Sequence, residues 1–270
     1  MRRTYVLLVS SLLLPALIPE VNAGGNVAYS KRWIQGTPVH VVTVNLNSLN
    51  VKVSPAIARH GIGTSEGFGS MLSRLQPTAA ITGTFFCVRS LVPVGRIVVD
   101  SKPVNFGDVG TAVCFGADNS VDFRLAHRAV NSDFSGYESI ICAGPRLVRD
   151  GVRCIAPSAE GFRDRSLYKE AHRSALGVTK HNKLLLVTVN RPIYLSRLAR
   201  IMRDLGAVDA VNLDGGSSTA LSYRDHVLSH PGRRMTNLIV VYDSPTEFAK
   251  IKPSLAPSPV VAATTSESKS

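Results

Sequence analysis

The chain has 270 residues, 44% of them hydrophobic, 19% charged and 6% aromatic, with 21 glycines and 15 prolines. That composition belongs to a globular protein with a substantial core and excludes collagen-like, coiled-coil and wholly disordered chains. Lys and Arg number 31 against 19 Asp and Glu, and the net charge of +12 favours anionic partners without naming one.

Met1-Arg2-Arg3 precedes an apolar run from Val6 to Ile18, and Val21-Asn22-Ala23 has the small-x-small form of a cleavage site. These features predict a secretory leader over residues 1–23, because the apolar run is shorter than the about 20 residues that span a bilayer. A periplasmic or secreted location follows from it. Residues 24–37 read as a loose N-terminal segment and residues 38–250 as one domain. The stretch 251–270, rich in Pro, Ser, Ala and Thr, reads as a disordered tail.

Within the domain, β-branched residues predict strands at Val39–Leu46 and Val51–Ile57, joined by an Asn/Ser turn. Phe68, Met71, Leu72 and Leu75 recur at helical spacing over Glu66–Leu75, stopped by Pro77. A buried strand follows at Ala79–Phe86. Short strands are expected at Ile97–Val99, Ala112–Phe115, Val121–Leu125, Ser139–Cys142 and Arg146–Val148, then a polar loop over 156–172. Ser174–Thr179 and Lys183–Val189 form a hairpin around His181-Asn182.

A second helix follows, with Leu195, Leu198, Ile201, Met202 and Leu205 on one face and Arg197, Arg200 and Arg203 on the other; Gly206 caps it. Strands at Val208–Leu213, 219–223, 226–229 and 237–242 close the domain. The pattern predicts a single α+β domain with a mixed, largely antiparallel sheet and two main helices.

Cys87, Cys114, Cys142 and Cys154 all lie beyond the leader, and an even number in an exported chain points to disulfides. Cys142 and Cys154 flank a short Gly-containing stretch and are the favoured pair. No CxxC or HxxxH spacing suggests a metal, and no motif asks for a cofactor. The sequence has no P-loop, no G-x-S-x-G elbow and no dinucleotide fingerprint. Its basic residues are scattered among acids rather than clustered as a nucleic-acid surface.

Three loops carry the residue types that chemistry needs. In Asn212-Leu213-Asp214-Gly215-Gly216-Ser217, an Asp ends a buried strand and two glycines let backbone N–H groups approach an anion, although Asp-Gly is also a common hairpin turn. Thr82-Gly83-Thr84-Phe85-Phe86 sets hydroxyls and a glycine beside two aromatic rings. His172-Arg173-Ser174 places an arginine, suited to planar phosphate contacts, at the start of a strand. The loops after Ile81 and Leu213 are alike, each following a helix and an apolar strand; side by side they would wall a single cleft.

Together and in order, these segments resemble the phosphodiester glycosidase family, which includes the mammalian uncovering enzyme and bacterial proteins tied to exopolysaccharide. The resemblance covers roughly residues 64–242 and rests on Ile81–Phe86, Cys142–Gly151 with Gly144-Pro145-Arg146 inside it, His172–Val178, Ala210–Ser218, and Arg234 with Asn237. It implies hydrolysis of a sugar-1-phosphodiester to free sugar and a phosphomonoester, with Asp214 and Arg173 as catalytic groups. It also implies substrate contacts from Thr82, Gly83, Gly144, Asn212, Gly215, Gly216, Ser217, Arg234 and Asn237. Glu170, Asp209 and Asp164 are all open as a second carboxylate. Where the family's first motif begins with Asn, this sequence has Thr82, which keeps a hydroxyl and loses the amide. That departure keeps a second reading in play, a non-catalytic protein that binds anionic or phosphorylated polysaccharide.

Overall fold

The run Leu184-Leu185-Leu186-Val187 is apolar at every position because its strand is buried on both faces. A computed structural model describes residues 25–126 and 134–257. In it, β1 (Val27–Ile34), β2 (Thr37–Asn45), β10 (Arg146–Arg149), β11 (Val152–Arg153), β12 (Ala171–Thr179), β13 (Lys183–Ile193) and β14 (Ala207–Asn212) form a seven-stranded sheet in the order β1-β2-β13-β12-β14-β10-β11. Side chains alternate across it. Val42, Val44, Leu176, Leu184 and Leu186 face a core shared with the second sheet. Val41, Ala175, Leu185 and Val187 face the opposite way, onto Leu198, Ile201 and Met202 of helix α2 (Leu195–Asp204).

The second sheet has five strands, β3 (Lys52–Ile57), β4 (Ala79–Thr82), β15 (Leu221–Tyr223), β16 (His226–Ser229) and β17 (Asn237–Tyr242), ordered β16-β15-β4-β17-β3. Helices α1 (Phe68–Leu75) and α3 (Pro245–Leu255) pack against it through Phe68, Met71, Leu75, Phe248 and Leu255. A third sheet of five, β5 (Gly95–Val99), β6 (Lys102–Asp108), β7 (Thr111–Phe115), β8 (Val121–Leu125) and β9 (Ser139–Ala143), is ordered β6-β5-β9-β7-β8. The protein is a single α+β domain.

Several expectations change. The expected loose segment is ordered over its described part: Val27–Ile34 pairs along its length with β2, around a turn at Gln35-Gly36. Strand pairing among the described residues is antiparallel throughout, so the mixed sheet is not formed. The main helices are three, not two. Residues 251–255 belong to α3 rather than to a tail, and Ser244-Pro245-Thr246-Glu247 announces that helix: the Ser244 hydroxyl accepts the Glu247 N–H, and Pro245 occupies the first turn. Strand β6 went unexpected because Pro103 and Gly107 interrupt its pattern, and 157–160 and 165–168 are short 3-10 turns inside the expected loop. The leader over 1–23 and residues 258–270 lie outside the described residues.

The favoured Cys142–Cys154 bridge is not made, and all four cysteines are free thiols. Cys142 sits within β9 of the third sheet while Cys154 lies just past β11 of the first, so the two sulfurs belong to different layers. Cys114 and Cys142 share one small apolar cluster, where burial pushes both thiols up to about 12.

Candidate active site

Asp214 stands where the chain leaves the seven-stranded sheet after β14 to enter β15 of the second sheet. Its backbone N–H donates to the Gly83 carbonyl at 3.0 Å, just beyond the end of β4. The two similar loops therefore meet, and each belongs to a different sheet. Leu213 N–H donates to Ser174 at 2.9 Å, and Asn212 N–H to Pro145 at 3.0 Å. Three strand ends and the Gly144-Pro145 turn are thus tied into one floor.

The tight approach explains two glycines. A Cβ on Gly83 would lie 2.0 Å from Asn237 Oδ1, the atom that accepts the Thr84 N–H at 2.7 Å. A Cβ on Gly215 would lie 2.7 Å from the His172 carbonyl oxygen. Only hydrogen fits at either place.

Above this floor lies a cavity of about 550 Å³, lined by Asp214, Gly215, Gly216, Ser217, Arg173 and Arg233, by Phe85, Phe86, Val88, Val94 and Val109, and by most of the segment 161–171. A larger hollow of about 740 Å³ lies between α3 and the β5–β6 hairpin, away from the Asp214 loop, and its Lys252 is already paired with Asp100 and Glu138.

Asp214 is the most perturbed carboxylate here. Burial raises it to about 6, against the opposing pull of the Ser218 hydroxyl, the Gly215 N–H at 2.9 Å and the positive charge of Arg233. The Arg233 guanidinium lies over the Phe86 ring, 4.5 Å from its centroid, which holds it at the cavity. A carboxylate that titrates near neutrality, beside a cation and a row of backbone N–H groups, is equipped to face a reacting carbon next to an anionic group.

The sequence candidates divide into three groups. Asp214, Arg173, Gly215, Gly216 and Ser217 line the cavity. Thr82, Gly83, Gly144, Asn212 and Asn237 lie in the layer beneath it. There Asn237 Nδ2 donates to the Thr84 carbonyl at 3.1 Å, and Asn212 Nδ2 to the Gly144 carbonyl at 3.2 Å. Arg234 turns away and donates to Ser65. Its neighbour Arg233, missed in the sequence, takes the cavity position; nothing in Arg233-Arg234 distinguishes the inward residue.

Arg173 borders the cavity, but much of its fork is engaged with backbone. Nε donates to Ile193 at 3.1 Å, and Nη2 to Leu167 at 3.3 Å and to Lys169. Arg173 thus clamps the 165–170 wall. Replacing it with methionine is expected to cost about 3 kcal/mol of stability by leaving carbonyls unpaired, and to open that wall to proteolysis. Thermal melts and limited digestion check both effects.

Of the three possible partner carboxylates, Asp209 is bound to Arg146 away from the cavity, and Asp164 caps a turn by accepting the Ser166 N–H at 2.8 Å. Asp164 and Glu170 both line the cavity. A fourth acid, Glu160, was not expected. Buried beneath the wall, it accepts Arg146 N–H at 2.7 Å and the Thr111 hydroxyl at 2.8 Å, and burial raises its pKa. An isolated Glu in a polar stretch carries no signal for this.

This architecture is shared with solved structures. A hypothetical protein from Synechocystis aligns with a TM-score of 0.73 at 19% identity, over 84% of this chain and 64% of that one, so the chain spans just under two thirds of its length. The zebrafish N-acetylglucosamine-1-phosphodiester alpha-N-acetylglucosaminidase catalytic domain, auto-inhibited by its pro-peptide, aligns at 0.66 and 19% identity, over 80% of this chain and 82% of that one. A candidate exported protein from Burkholderia pseudomallei K96243 aligns at 0.60 and 14% identity, over 80% and 74%. The fold is thus a phosphodiester glycosidase-like one. No curated protein matches in sequence. The sequence profile of the phosphodiester glycosidases matches residues 76–242, and the chain belongs to that family. Among the described residues no helix is long and apolar enough to cross a membrane.

Proposed function

We propose that the protein is an exported hydrolase that cleaves a sugar-1-phosphodiester, releasing the free sugar and leaving a phosphomonoester. The single observation that carries this reading is the desolvated Asp214 carboxylate beside Arg233 and the Gly215–Ser217 backbone, a pairing of anion and cation that matches a sugar carbon bonded to phosphate. Export rests on the leader-like residues 1–23.

A phosphomonoester leaves readily, so the reaction needs less acid help than an ordinary glycoside. The C1–O bond breaks, its electron pair stays with the phosphate, and water supplies the new hydroxyl on C1. Asp214 faces the carbon as positive charge grows there, and Arg233 with the loop N–H groups holds the departing phosphate. We assign exchange of the incoming water's proton to Glu170, which lines the same cavity. Thr82 lies beneath the cavity lining rather than in it, which favours an intact catalytic site over a binding-only protein.

Purified protein is expected to release sugar from a panel of sugar-1-phosphodiesters, read by mass spectrometry. No release from the whole panel by folded protein overturns the proposal. Arg233→Ala is expected to raise KM at least tenfold. Removing a charge that favours ionised Asp214 also moves the acid limb of kcat/KM to a pH higher than in the wild type.

A further inference from the structure

The two walls of the active-site cavity differ in chemistry. One, from the 161–171 segment, sets Asp164, Ser166, Lys169 and Glu170, donors and acceptors of the kind sugar hydroxyls require, beside Phe162 and Leu167. The other, from the 85–94 loop and the β6–β7 turn, brings Phe86, Val88, Val94 and Val109. Arg233 lies on the boundary, over Phe86. A phosphate held by Arg233, with its sugar toward Asp214 and the polar wall, directs its second ester toward the valines.

The apolar wall continues outward. Val88 is 67% exposed and Val92 is 37% exposed on a loop closed by the Cys87–Val92 and Leu91–Cys87 backbone hydrogen bonds. Large apolar side chains left in water around a site mouth mark a surface that an apolar ligand covers. Valines offer nothing to the hydroxyls of a second sugar. A planar base is also poorly served, because Arg233 covers the Phe86 face and the Phe85 and Phe162 rings are engaged edge to face with each other, centroids 5.6 Å apart.

We propose that the group on the far side of the substrate phosphate is a hydrocarbon chain, so that the protein acts on sugar-1-phospho-lipids; this rests on the hydrolase reading above. Cleavage then yields free sugar and an alkyl monophosphate, water supplying the hydroxyl at C1.

The test uses the whole protein and the 1-phosphates of common hexoses and N-acetylhexosamines, each as methyl, n-hexyl and uridine diesters, with sugar release followed by mass spectrometry. Each buried methylene is worth about fourfold in binding, so kcat/KM for the hexyl ester is expected to exceed that for the methyl ester at least tenfold. Val88→Ser is expected to shrink that ratio. Equal rates for methyl and hexyl esters, or a preference for uridine, overturn the lipid proposal and leave the hydrolase reading standing. No sugar from any ester overturns both.

Discussion

On the hydrolase reading, Asp214→Asn is expected to lower kcat at least a thousandfold while substrate still binds, because the substitution keeps the shape of the floor and removes its carboxylate charge. The same variant is expected to be more stable than the wild type at neutral pH. Burial raises the Asp214 carboxyl to about 6 from its ordinary value of 3.8, so the folded state holds the proton more tightly than the unfolded state. The contribution of this group to stability is therefore full below about pH 4 and is lost as pH rises through about 6. Asparagine has no charge to desolvate. It should gain on the order of 2 kcal/mol over the wild type at pH 8, with the gap closing at pH 4. Thermal melts at the two pH values read this directly. In the wild type, kcat/KM should rise with pH to a plateau, with its midpoint near 6; a profile flat from pH 5 to 8 is incompatible with an ionised Asp214 as the working form.

Gly83→Ala is the second large effect. The added methyl meets Asn237 Oδ1 at 2.0 Å and Ile141 Cδ1 at 3.1 Å, and Asn237 is held from both sides by the Thr84 backbone. Relief requires breaking that pair or moving the Gly83 carbonyl that anchors Asp214. A loss of about 3 kcal/mol follows, or roughly 8 °C in Tm for a domain of this size, together with most of the activity. The cause can be isolated: in an Asn237→Ala background the same glycine substitution should cost much less, because the atom it meets is gone.

Much of the frame was legible because periodicity records burial. The Arg197, Arg200 and Arg203 face of α2 and the unbroken Leu184–Val187 run were readable for this reason. The Asp214 loop, which taken alone reads equally well as an ordinary Asp-Gly turn, stood out because the other segments accompany it in order. Three features were not. The inward choice of Arg233 over Arg234 depends on how the segment is seated between Glu66 and Ser217, which form bridges from distant parts of the chain. Arg173 looked like a phosphate ligand because a guanidinium fork suits backbone carbonyls as well as phosphate oxygens, and composition does not say which it meets. Cys142 and Cys154 are near in sequence, but the chain changes sheets between them at Ala143–Arg146, so nearness along the chain misled about nearness in space.

The pairing of β2 with β13 and of β3 with β17 joins segments from opposite ends of the sequence. Asp214, which sits at the crossing of those two sheets, has no surroundings until both have closed. Contacts of such long range are slow to form, since the loop entropy is lost before any packing is gained. A newly made chain would therefore leave its apolar strands exposed for most of its synthesis and acquire this cavity only after the final segments arrive. Recovery of activity during refolding should then trail the recovery of secondary structure, which makes the cavity a reporter of the last step of assembly.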